Sequence, residues 1–360
     1  MATETPEPVV AVHVAHAASG PASRRVQSFL SACSERPFQY PPAEEYPSVF
    51  AGCPGGTSLV IERDGFPVAH LAYVVREYHH AAFRWRVGCI SSVVTLPQYR
   101  GRGFASALMH TALAELRTRG CTLAVLWSDN VDFYGPLGFV RAGREKDFLF
   151  EPGSEGAPGD GADLAVQDYD RSRHAHWVWR LYLRSPGHLD RSLEELKALC
   201  DIPRTRVVVM SREGKITAYF AVNKGSDFTN YVHEWAGLPG DVATGVARSV
   251  RDRFAGASLT LISPAYVDTR PFQAKASASW EGVLGLVQIL DPTRAMDDYR
   301  AYLSTLGISF SWDRSKRRAI VGEERISVEG TGDLARLILG SEASGERPVL
   351  PFFLWGFDSV

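Results

Sequence analysis

The most regular pattern in the chain joins an apolar strand, a glycine-spaced basic loop and an amphipathic helix. The apolar run starts at Ile90, and the loop after it reads Gln98-Tyr-Arg-Gly-Arg-Gly103. Beyond the loop, apolar residues recur every three or four positions, as on one face of a helix, and Gly120 stands where the helix should end. These apolar positions are Phe104, Ala105, Leu108, Met109, Ala112, Leu113 and Leu116. The pattern predicts a strand, a loop and a helix in direct succession.

A loop in this position favours an anion. The first N–H groups of a helix lack intrahelical acceptors, and the helix dipole is positive at that end. Gly101 and Gly103 permit a close approach of the backbone, and Arg100 and Arg102 add positive charge. We therefore predict a pyrophosphate cradle. The dinucleotide fingerprint is excluded because the loop holds a single G-x-G, and the Walker loop because Gly-Lys-Ser/Thr is missing.

A second segment follows the helix. The sequence predicts a strand over Thr122–Trp127, and Phe133, Tyr134 and the pair Gly138-Phe139 come shortly after it. Together with the loop, this segment resembles the GNAT acyltransferases, in which a Q/R-x-x-G-x-G/A loop binds acetyl-CoA and an F-Y-x-x-x-G-F segment follows. The resemblance covers residues 55–142.

The resemblance implies acetyl-CoA as the co-substrate and gives roles to the residues that match the motifs. It implies that the strand residues Val93, Val94 and Thr95 pair through their backbone with the pantetheine arm. It places the pyrophosphate on the backbone of Arg100, Gly101, Arg102, Gly103, Phe104 and Ala105. Tyr134 takes the position of the general acid that protonates the departing thiolate. The alternative for Tyr134 is a core aromatic residue that only packs.

The remainder of the chain predicts a linker, two further units and a tail. Residues 151–163 are rich in Gly, Pro and acidic residues and predict a linker. The next segment repeats the element order of the first around the hairpin turn Ser211-Arg-Glu-Gly214, but it has no R-G-x-G loop. We predict a catalytic GNAT domain at 1–150, a degenerate second GNAT domain at 164–281, a small α+β domain at 282–348 and a tail at 349–360.

This architecture resembles the Eis-type acetyltransferases, whose third domain is sterol-carrier-like. We therefore expect an α/β (α+β) protein with tandem GNAT folds, each a mixed and mostly antiparallel sheet flanked by helices, and a small C-terminal α+β sterol-carrier-like domain. The stretch Ile90–Ala105 and the pair Ser128-Asp129 are also similar to fungal lysine N-acetyltransferases.

The tail is strongly apolar, and we expect it to dock. Seven of the nine residues from Val349 to Phe357 are apolar, which a free terminus would expose to water. One interpretation is that the tail fills a groove between domains. The resemblance to Eis-type enzymes implies that it enters the first-domain active site, where the carboxylate of Val360 is the base. Asp358 would then lie beside the acceptor amine.

Three other residues are candidates for the acceptor site. Glu45 lies in the region that covers the acceptor in this family, and it would recognise a cationic amine unless it is a solvated charge. Trp127 and Trp355 would shape an aromatic pocket, although core packing explains them equally well. The closely spaced histidines lack accompanying ligands, so no metal is expected.

Composition limits the partners and the compartment. The net charge of −2 predicts no polybasic surface for nucleic acid or membrane. The sequence shows no signal peptide and no long apolar run, and its five cysteines are scattered, which favours a reducing cytoplasm. Eis-type enzymes are often homo-oligomers, but no residue here establishes that state.

The predicted function is an acetyl-CoA-dependent N-acetyltransferase that acts on a primary amine by direct attack in a ternary complex. The acceptor remains open among lysine or another amino acid, a polyamine, an aminoglycoside and a protein lysine. A small molecule is favoured because the chain is nearly neutral and the tail would partly close the site. The alternatives are another acyl-CoA acyltransferase and a CoA-binding sensor without turnover.

Overall fold

The computed structural model describes residues 12–16, 21–33, 39–51, 56–154, 163–313, 315–341, 344–345 and 347–360. Most of the predicted linker therefore lies outside the described residues. None of the described helices is both long and apolar enough to cross a membrane.

The helices and strands of the structure follow the predicted order closely. The elements up to residue 150 are β1 Val12–His16, α1 Pro21–Cys33, α2 Pro42–Glu45, α3 Pro47–Phe50, β2 Thr57–Arg63, β3 Phe66–His80, β4 Phe83–Thr95, α4 Phe104–Thr118, β5 Leu123–Leu126, α5 Val131–Tyr134, β6 Val140–Ala142 and β7 Glu145–Phe150. The next are β8 Leu164–Asp168, α6 Arg171–Tyr182, β9 Gly187–Leu189, α7 Leu193–Cys200, β10 Arg206–Arg212, β11 Lys215–Lys224, β12 Asp227–Gly237, α8 Pro239–Asp252, β13 Leu259–Pro264, α9 Arg270–Gln273 and β14 Ala278–Gly282. The last are β15 Gly285–Ile289, α10 Pro292–Thr305, β16 Phe310–Asp313, β17 Arg318–Val321, β18 Glu324–Ser327 and α11 Thr331–Leu339. Short 3₁₀ turns cover Pro97–Tyr99, Gly135–Leu137 and Gly356–Asp358.

Two large mixed sheets form the two halves of the molecule. The first sheet has the strand order β1-β2-β3-β4-β5-β15-β6, with β9 paired to β3, and the second has the order β14-β7-β13-β12-β11-β10-β8. In the first half, β4 and β5 are parallel and joined by helix α4. In the second half, β12 and β13 are parallel and joined by helix α8. The fold is therefore duplicated within the chain.

The first sheet contains two strands from the second half of the chain, β9 and β15, and the second sheet contains one strand from the first half, β7. Strand β15 lies between β5 and β6, and strand β7 lies between β13 and β14. This corrects the predicted boundaries at residues 150 and 282, because β7 belongs to the second sheet and β15 to the first. The physical reason is that β5 is fully buried and needs a backbone partner on its free side. The strand that satisfies it is distant in the sequence.

The two crossing connections pack against each other. Residues 143–144 carry the chain from the first sheet to the second, and residues 283–284 carry it back. Gly143 has φ +91°, and a Cβ added there would lie 2.5 Å from the Cβ of Leu284. Only glycine allows both the left-handed backbone and this close approach. Arg144 also pairs with Glu281 beside the crossing, with Nη2 and Oε2 3.3 Å apart.

The last part of the chain forms a small unit that is attached to the first sheet. Strands β16, β17 and β18 make an antiparallel sheet of three strands. Helix α11 packs on β15 and β6. The predicted similarity of this unit to a sterol-carrier domain stays a prediction.

The C-terminal tail is buried along the interior. Five large apolar side chains of the tail are each at most 3% exposed, namely Phe352, Phe353, Leu354, Trp355 and Phe357. The hydroxyl of Tyr78 on β3 donates to the carbonyl of Pro351 at 2.8 Å. The tail is thus docked and joins the two halves into one core, whereas its entry into the first-domain active site stays a prediction.

A buried ionic network fixes the end of the tail. Arg191 donates from Nη1 and Nη2 to the two carboxylate oxygens of Glu234 at 2.9 and 2.8 Å. The same guanidinium donates to Oδ1 of Asp358 at 3.1 and 2.6 Å. The ammonium of Lys224 donates to the carbonyls of Gly356 and Ser359. Burial lowers the pKa of Lys224 to about 8.

Candidate active site

The site begins where two parallel strands separate. Strand β4 pairs with β5 only from Val87 to Cys89. Its continuation to Thr95 stays paired with β3. The backbone edge of the last residues of β4 is therefore open on the side that faced β5. An extended acyl-pantetheine chain can add to such an edge as a further strand does.

A β-bulge in β4 sets the orientation of the backbone along this open edge. Between the pairs His70–Val94 and Ala72–Ser91, two residues of β4 face one of β3. Ser92 lies in the bulge with φ +51°, which is unusual for a residue other than glycine. The Nδ1 atom of the buried His70 lies 2.9 Å from the carbonyl oxygen of Ser92. Burial lowers the pKa of His70 to about 4, so the ring is neutral and donates through Nδ1–H. We infer that His70 holds the bulge in place.

The predicted anion cradle lies at the start of α4. Gly101 and Gly103 have φ values of +77° and +76°, and space is open where a Cβ would lie on either residue. Gly103 is the N-cap, and no side chain caps the helix. The first amides of α4 therefore point toward the loop without intrahelical acceptors. Arg100 contacts the carbonyl of Thr95 through Nε at 3.2 Å, and Arg102 lies over the ring of Tyr99.

A cleft of about 730 Å³ connects the cradle with Tyr134. The predicted residues that line it are Val93, Val94, Thr95, Arg100, Gly101, Gly103, Phe104, Ala105 and Tyr134. The cleft is also lined by Cys33, Tyr99, Ser106, Asn130 and Phe133. Arg102 is exposed at its margin. The Oγ1 atom of Thr95 is buried and has no hydrogen-bond partner among the described residues. The cleft therefore fits a long ligand with an anionic end and polar groups along its middle.

Tyr134 stands at the end of the cleft away from the loop. It is the last residue of α5, which Asn130 caps by accepting a hydrogen bond from the amide of Phe133 at 3.2 Å. Burial raises the pKa of Tyr134 to about 12, although its hydrogen bond with Ser128 opposes the shift. The phenol is therefore protonated at neutral pH. Burial also raises the pKa of the Cys89 thiol, so this cysteine is not a nucleophile at neutral pH.

Two of the predicted acceptor residues have other partners in the structure. Glu45 is buried on α2, and its Oε1 accepts from the amide and the hydroxyl of Ser226, both at 2.7 Å. Asp358 is held by Arg191 and accepts from the amide of Trp355 at 3.3 Å. Both carboxylates therefore join parts of the chain, and their contact with the acceptor stays a prediction.

The two tryptophans predicted for the acceptor pocket and the predicted base Val360 lie on the face of the first sheet that is opposite to α4. Trp127, Trp355 and Val360 pack in the large core that contains the tail, whereas Tyr134 packs in the core under α4. Trp127 and Trp355 line one cavity together with Ser359. Val360 is half-buried. The cofactor cleft and the tail thus approach the separated strands from two sides.

The second half has no anion cradle at the corresponding place. Helix α8 starts after Leu238 with proline at its first position. Asp241 lies in the first turn, is buried, and accepts from Arg212 at 2.7 Å. A carboxylate that occupies the helix N-terminus repels a phosphate there. This agrees with the absence of R-G-x-G from the second loop.

Several supporting residues were not predicted from the sequence. Asn130 has a local signal, since an asparagine three residues before Phe133 matches a helix N-cap. Ser128 was noted only as part of a resemblance. His70 has no local signal, because the bulge that it holds lies 22 residues away.

Comparison with known proteins agrees with this geometry. Residues 32–142 match the family model of an acetyltransferase (GNAT) domain. A probable N-acyltransferase from Enterococcus faecalis V583 is 13% identical with a TM-score of 0.63, covering 81% of this chain and 75% of its own. Eis1 from Mycobacterium abscessus is 12% identical with a TM-score of 0.60, covering 92% and 90%. A GCN5-related N-acetyltransferase from Kribbella flavida is 16% identical with a TM-score of 0.59, covering 81% and 74%. No curated protein matches the chain in sequence.

A separated pair of parallel strands, a helix N-terminus suited to an anion and a protonated tyrosine are the features expected of an acyl-CoA-dependent acyltransferase. The solved structures establish the fold, and the family model establishes the domain. Residues 32–142 are thus a GNAT acetyltransferase domain by the family model, and the chain as a whole shares the fold of Eis1. Members of this family transfer an acyl group from acyl-CoA to an amine.

Proposed function

We propose that the protein transfers the acetyl group of acetyl-CoA to a primary amine by direct attack in a ternary complex. The observation that carries the proposal is the continuous cleft from the glycine loop to Tyr134. In this proposal the amides at the start of α4 hold the pyrophosphate, with Arg100 and Arg102 nearby. The backbone of Val93, Val94 and Thr95 pairs with the pantetheine arm, and an amide there polarises the thioester.

The amine must lose a proton when it attacks the thioester carbon. The C–N bond then forms, the C–S bond breaks, and the departing sulfur takes a proton. We assign the second proton to Tyr134, whose phenol is protonated at neutral pH. For the first proton, our candidate is the carboxylate of Val360, directly or through water. A free α-carboxyl has a pKa of about 3.5, so a water relay or a desolvated site is needed.

The acceptor is proposed only as a class. Two features support a small-molecule amine over nucleic acid or a membrane. One is the aromatic cavity on the tail side of the sheet, and the other is the nearly neutral charge of the chain. Among the described residues, no group of His, Cys, Asp or Glu side chains is arranged to hold a metal.

The test is thiol release from acetyl-CoA with a panel of amines that includes lysine, a polyamine and an aminoglycoside. The full chain is compared with one that lacks its last three residues. Turnover with one amine class, lost on truncation while acetyl-CoA still binds, supports both the function and the base. Tight binding of acetyl-CoA without turnover on any amine contradicts the proposal and favours a sensor.

A further inference from the structure

A second cavity lies where the two sheets exchange strands. Its volume is about 150 Å³. The first sheet contributes Trp127, which directly follows β5, and the crossing connection contributes Leu284. The other residues that line it are Glu145, Phe228, His233, Ile262, Val283, Phe353, Leu354, Trp355, Gly356 and Ser359. The cavity is thus closed on one side by the docked tail.

This cavity is linked to the cofactor cleft by two consecutive residues. Trp127 lines the cavity, and the next residue, Ser128, forms a hydrogen bond with Tyr134. Val94 belongs to the core that contains the tail, and Val93 belongs to the core under α4. The separated strands β4 and β5 therefore have the cleft on one face and the tail on the other. A ligand held in the cavity would therefore lie on the face of these strands opposite to α4.

The walls of the cavity contain polar atoms that lack partners. The Nε2 atom of His233 lies 3.0 Å from the carbonyl oxygen of Asn223, which makes Nε2 the donor. Burial lowers the pKa of His233 to about 3, so the ring is neutral and Nδ1 carries a lone pair. This Nδ1 and the indole Nε1 of Trp355 are buried without a hydrogen-bond partner in the part of the chain that the structure describes. Two orphaned atoms in one small cavity indicate a bound polar group.

The cavity also contains a carboxyl group. Glu145 begins β7 directly after the crossing, and in the described part of the structure no hydrogen bond or ion pair engages its side chain. A Cβ added to Gly282 would lie 2.8 Å from Oε1 of Glu145. The absence of a side chain at residue 282 therefore provides the space that the Glu145 side chain occupies. The carboxyl is half-buried beside the rings of Trp127 and Phe228. Aromatic faces and a carboxylate together select a cation.

We propose that this cavity is the acceptor subsite and that Glu145 binds the cationic head of a slender primary amine. The inference rests on the proposed function, because it supplies that reaction with its acceptor. The cavity has the volume of about five water molecules in the liquid. It can therefore hold the amino end of an alkyl chain, while the rest of the acceptor stays outside. The ammonium donates to Glu145 and to Nδ1 of His233, and it must pass one proton to a base, for which the Glu145 carboxylate is in reach, before its nitrogen attacks the thioester as a neutral amine.

The protonation of Glu145 gives the proposal a specific signature. Burial, and then the charge of Asp147 on the same strand, raise the pKa of Glu145 to about 8. The other ionisable groups nearby are the neutral His233 from β12 and the Arg144–Glu281 pair at the crossing, while β13 presents Pro264 at this register. Glu145 is therefore mostly protonated at pH 7. Binding of an ammonium ionises it and releases about one proton, and affinity increases with pH up to about 8.

The test is calorimetric titration of the full chain with 1-aminopentane, 1,5-diaminopentane and 1-pentanol at pH 7, in two buffers that differ in ionisation enthalpy. We expect both amines to bind with proton release and the alcohol to bind at least tenfold more weakly. Glu145→Gln should weaken amine binding at least tenfold and abolish the proton release. The matched control is Glu281→Gln on the neighbouring strand, which should bind amines as the unchanged chain does.

The outcomes separate the two proposals. Equal amine affinity in Glu145→Gln and the unchanged chain, without proton release, overturns the role of Glu145 even if acetyl-CoA is turned over. Glu145-dependent binding of amines without any turnover contradicts the proposed function instead and leaves the amine site standing. If Glu145→Gln does not fold, Gly282→Ala keeps the carboxyl but crowds it, and it should also weaken amine binding. Unchanged amine affinity in Gly282→Ala overturns the proposal.

Discussion

At the scale of single residues, Tyr134 and Ser128 connect the chemistry of the two faces of the first sheet. Tyr134 lies at the end of the cofactor cleft, and Ser128 joins it to the segment that lines the tail-side cavity. The raised pKa of Tyr134 keeps the phenol protonated across the physiological range, which suits an acid and not a base. The position therefore makes a direct prediction about catalysis.

Replacing Tyr134 by phenylalanine should lower kcat about a hundredfold or more, because the thiolate loses its proton donor. The affinity for acetyl-CoA should change less than about threefold, since the ring and its packing remain. Steady-state kinetics and calorimetric titration with acetyl-CoA measure the two effects. Tyr231→Phe is the control, because Tyr231 is exposed on β12. An unchanged kcat in Tyr134→Phe would remove the tyrosine from the mechanism.

Ser92 carries strain that the bulge requires. A β-branched residue at φ +51° is disfavoured, so Ser92→Val should cost about 1–3 kcal/mol of stability and weaken acetyl-CoA binding by misdirecting Val93 to Thr95. Ser92→Gly should keep the affinity within about threefold, because glycine adopts this conformation freely. Thermal unfolding and acetyl-CoA titration of both variants test this. Equal behaviour of the two variants would mean that the bulge does not direct the cleft.

The structure places the predicted loop residues and Tyr134 along one cleft, and the sequence signals behind that prediction are local. The glycine loop, the start of α4 and Tyr134 lie within 40 residues of one another, and each has a fixed neighbour pattern. The sequence could not indicate the partners of Glu45 and Asp358, because Ser226 and Arg191 are distant in sequence. The spacing of polar and apolar residues does not indicate which charged side chain will form the ion pair that holds the tail.

At the scale of elements, the tail is held by charges as well as by apolar contacts. Apolar composition alone predicted its burial. The network of Arg191, Glu234 and Asp358 and the contacts of Lys224 determine where it ends. Removing one member would leave a buried charge without its partner, which is strongly destabilising.

Lys224 makes the stability of the docked tail depend on pH. Its folded-state pKa of about 8 lies below the value of about 10.4 for an unfolded lysine. Between these values the unfolded chain binds more protons, so stability should increase as pH rises from 8 toward 10, by up to about 3 kcal/mol. Below pH 8 this lysine contributes no slope, because both states hold the proton.

The measurement is the thermal unfolding midpoint at pH 8, 9 and 10 for the unchanged chain and for Lys224→Met. The variant should lose the part of the upward slope that comes from this lysine, whatever its absolute stability. Lys215→Met is the control, since Lys215 is exposed at the start of β11 in the same sheet. Parallel curves for Lys224→Met and the unchanged chain would contradict the assignment.

At the scale of the whole molecule, the exchange of β7 and β15 makes the two GNAT folds interdependent. The sequence could not reveal this exchange, because a two-residue connection such as 143–144 looks the same whether the next strand stays in its sheet or leaves it. The order of elements was predictable from hydrophobic periodicity and turn residues. Their partners were not, since strand pairing across more than 100 residues leaves no local trace. The proposed acceptor cavity lies at this crossing and depends on it.

The exchange predicts that neither half folds by itself. A chain of residues 1–154 lacks β15 and leaves the apolar strand Leu123–Leu126 unpaired on one side, and a chain of residues 163–360 lacks β7 beside Leu259–Pro264. Each should be aggregated or poorly ordered when produced separately, whereas the two produced together should recover acetyl-CoA binding. Solubility, NMR dispersion and calorimetric titration distinguish the cases. A well-dispersed spectrum and cooperative unfolding of residues 1–154 alone would show that the first GNAT fold does not need its borrowed strand.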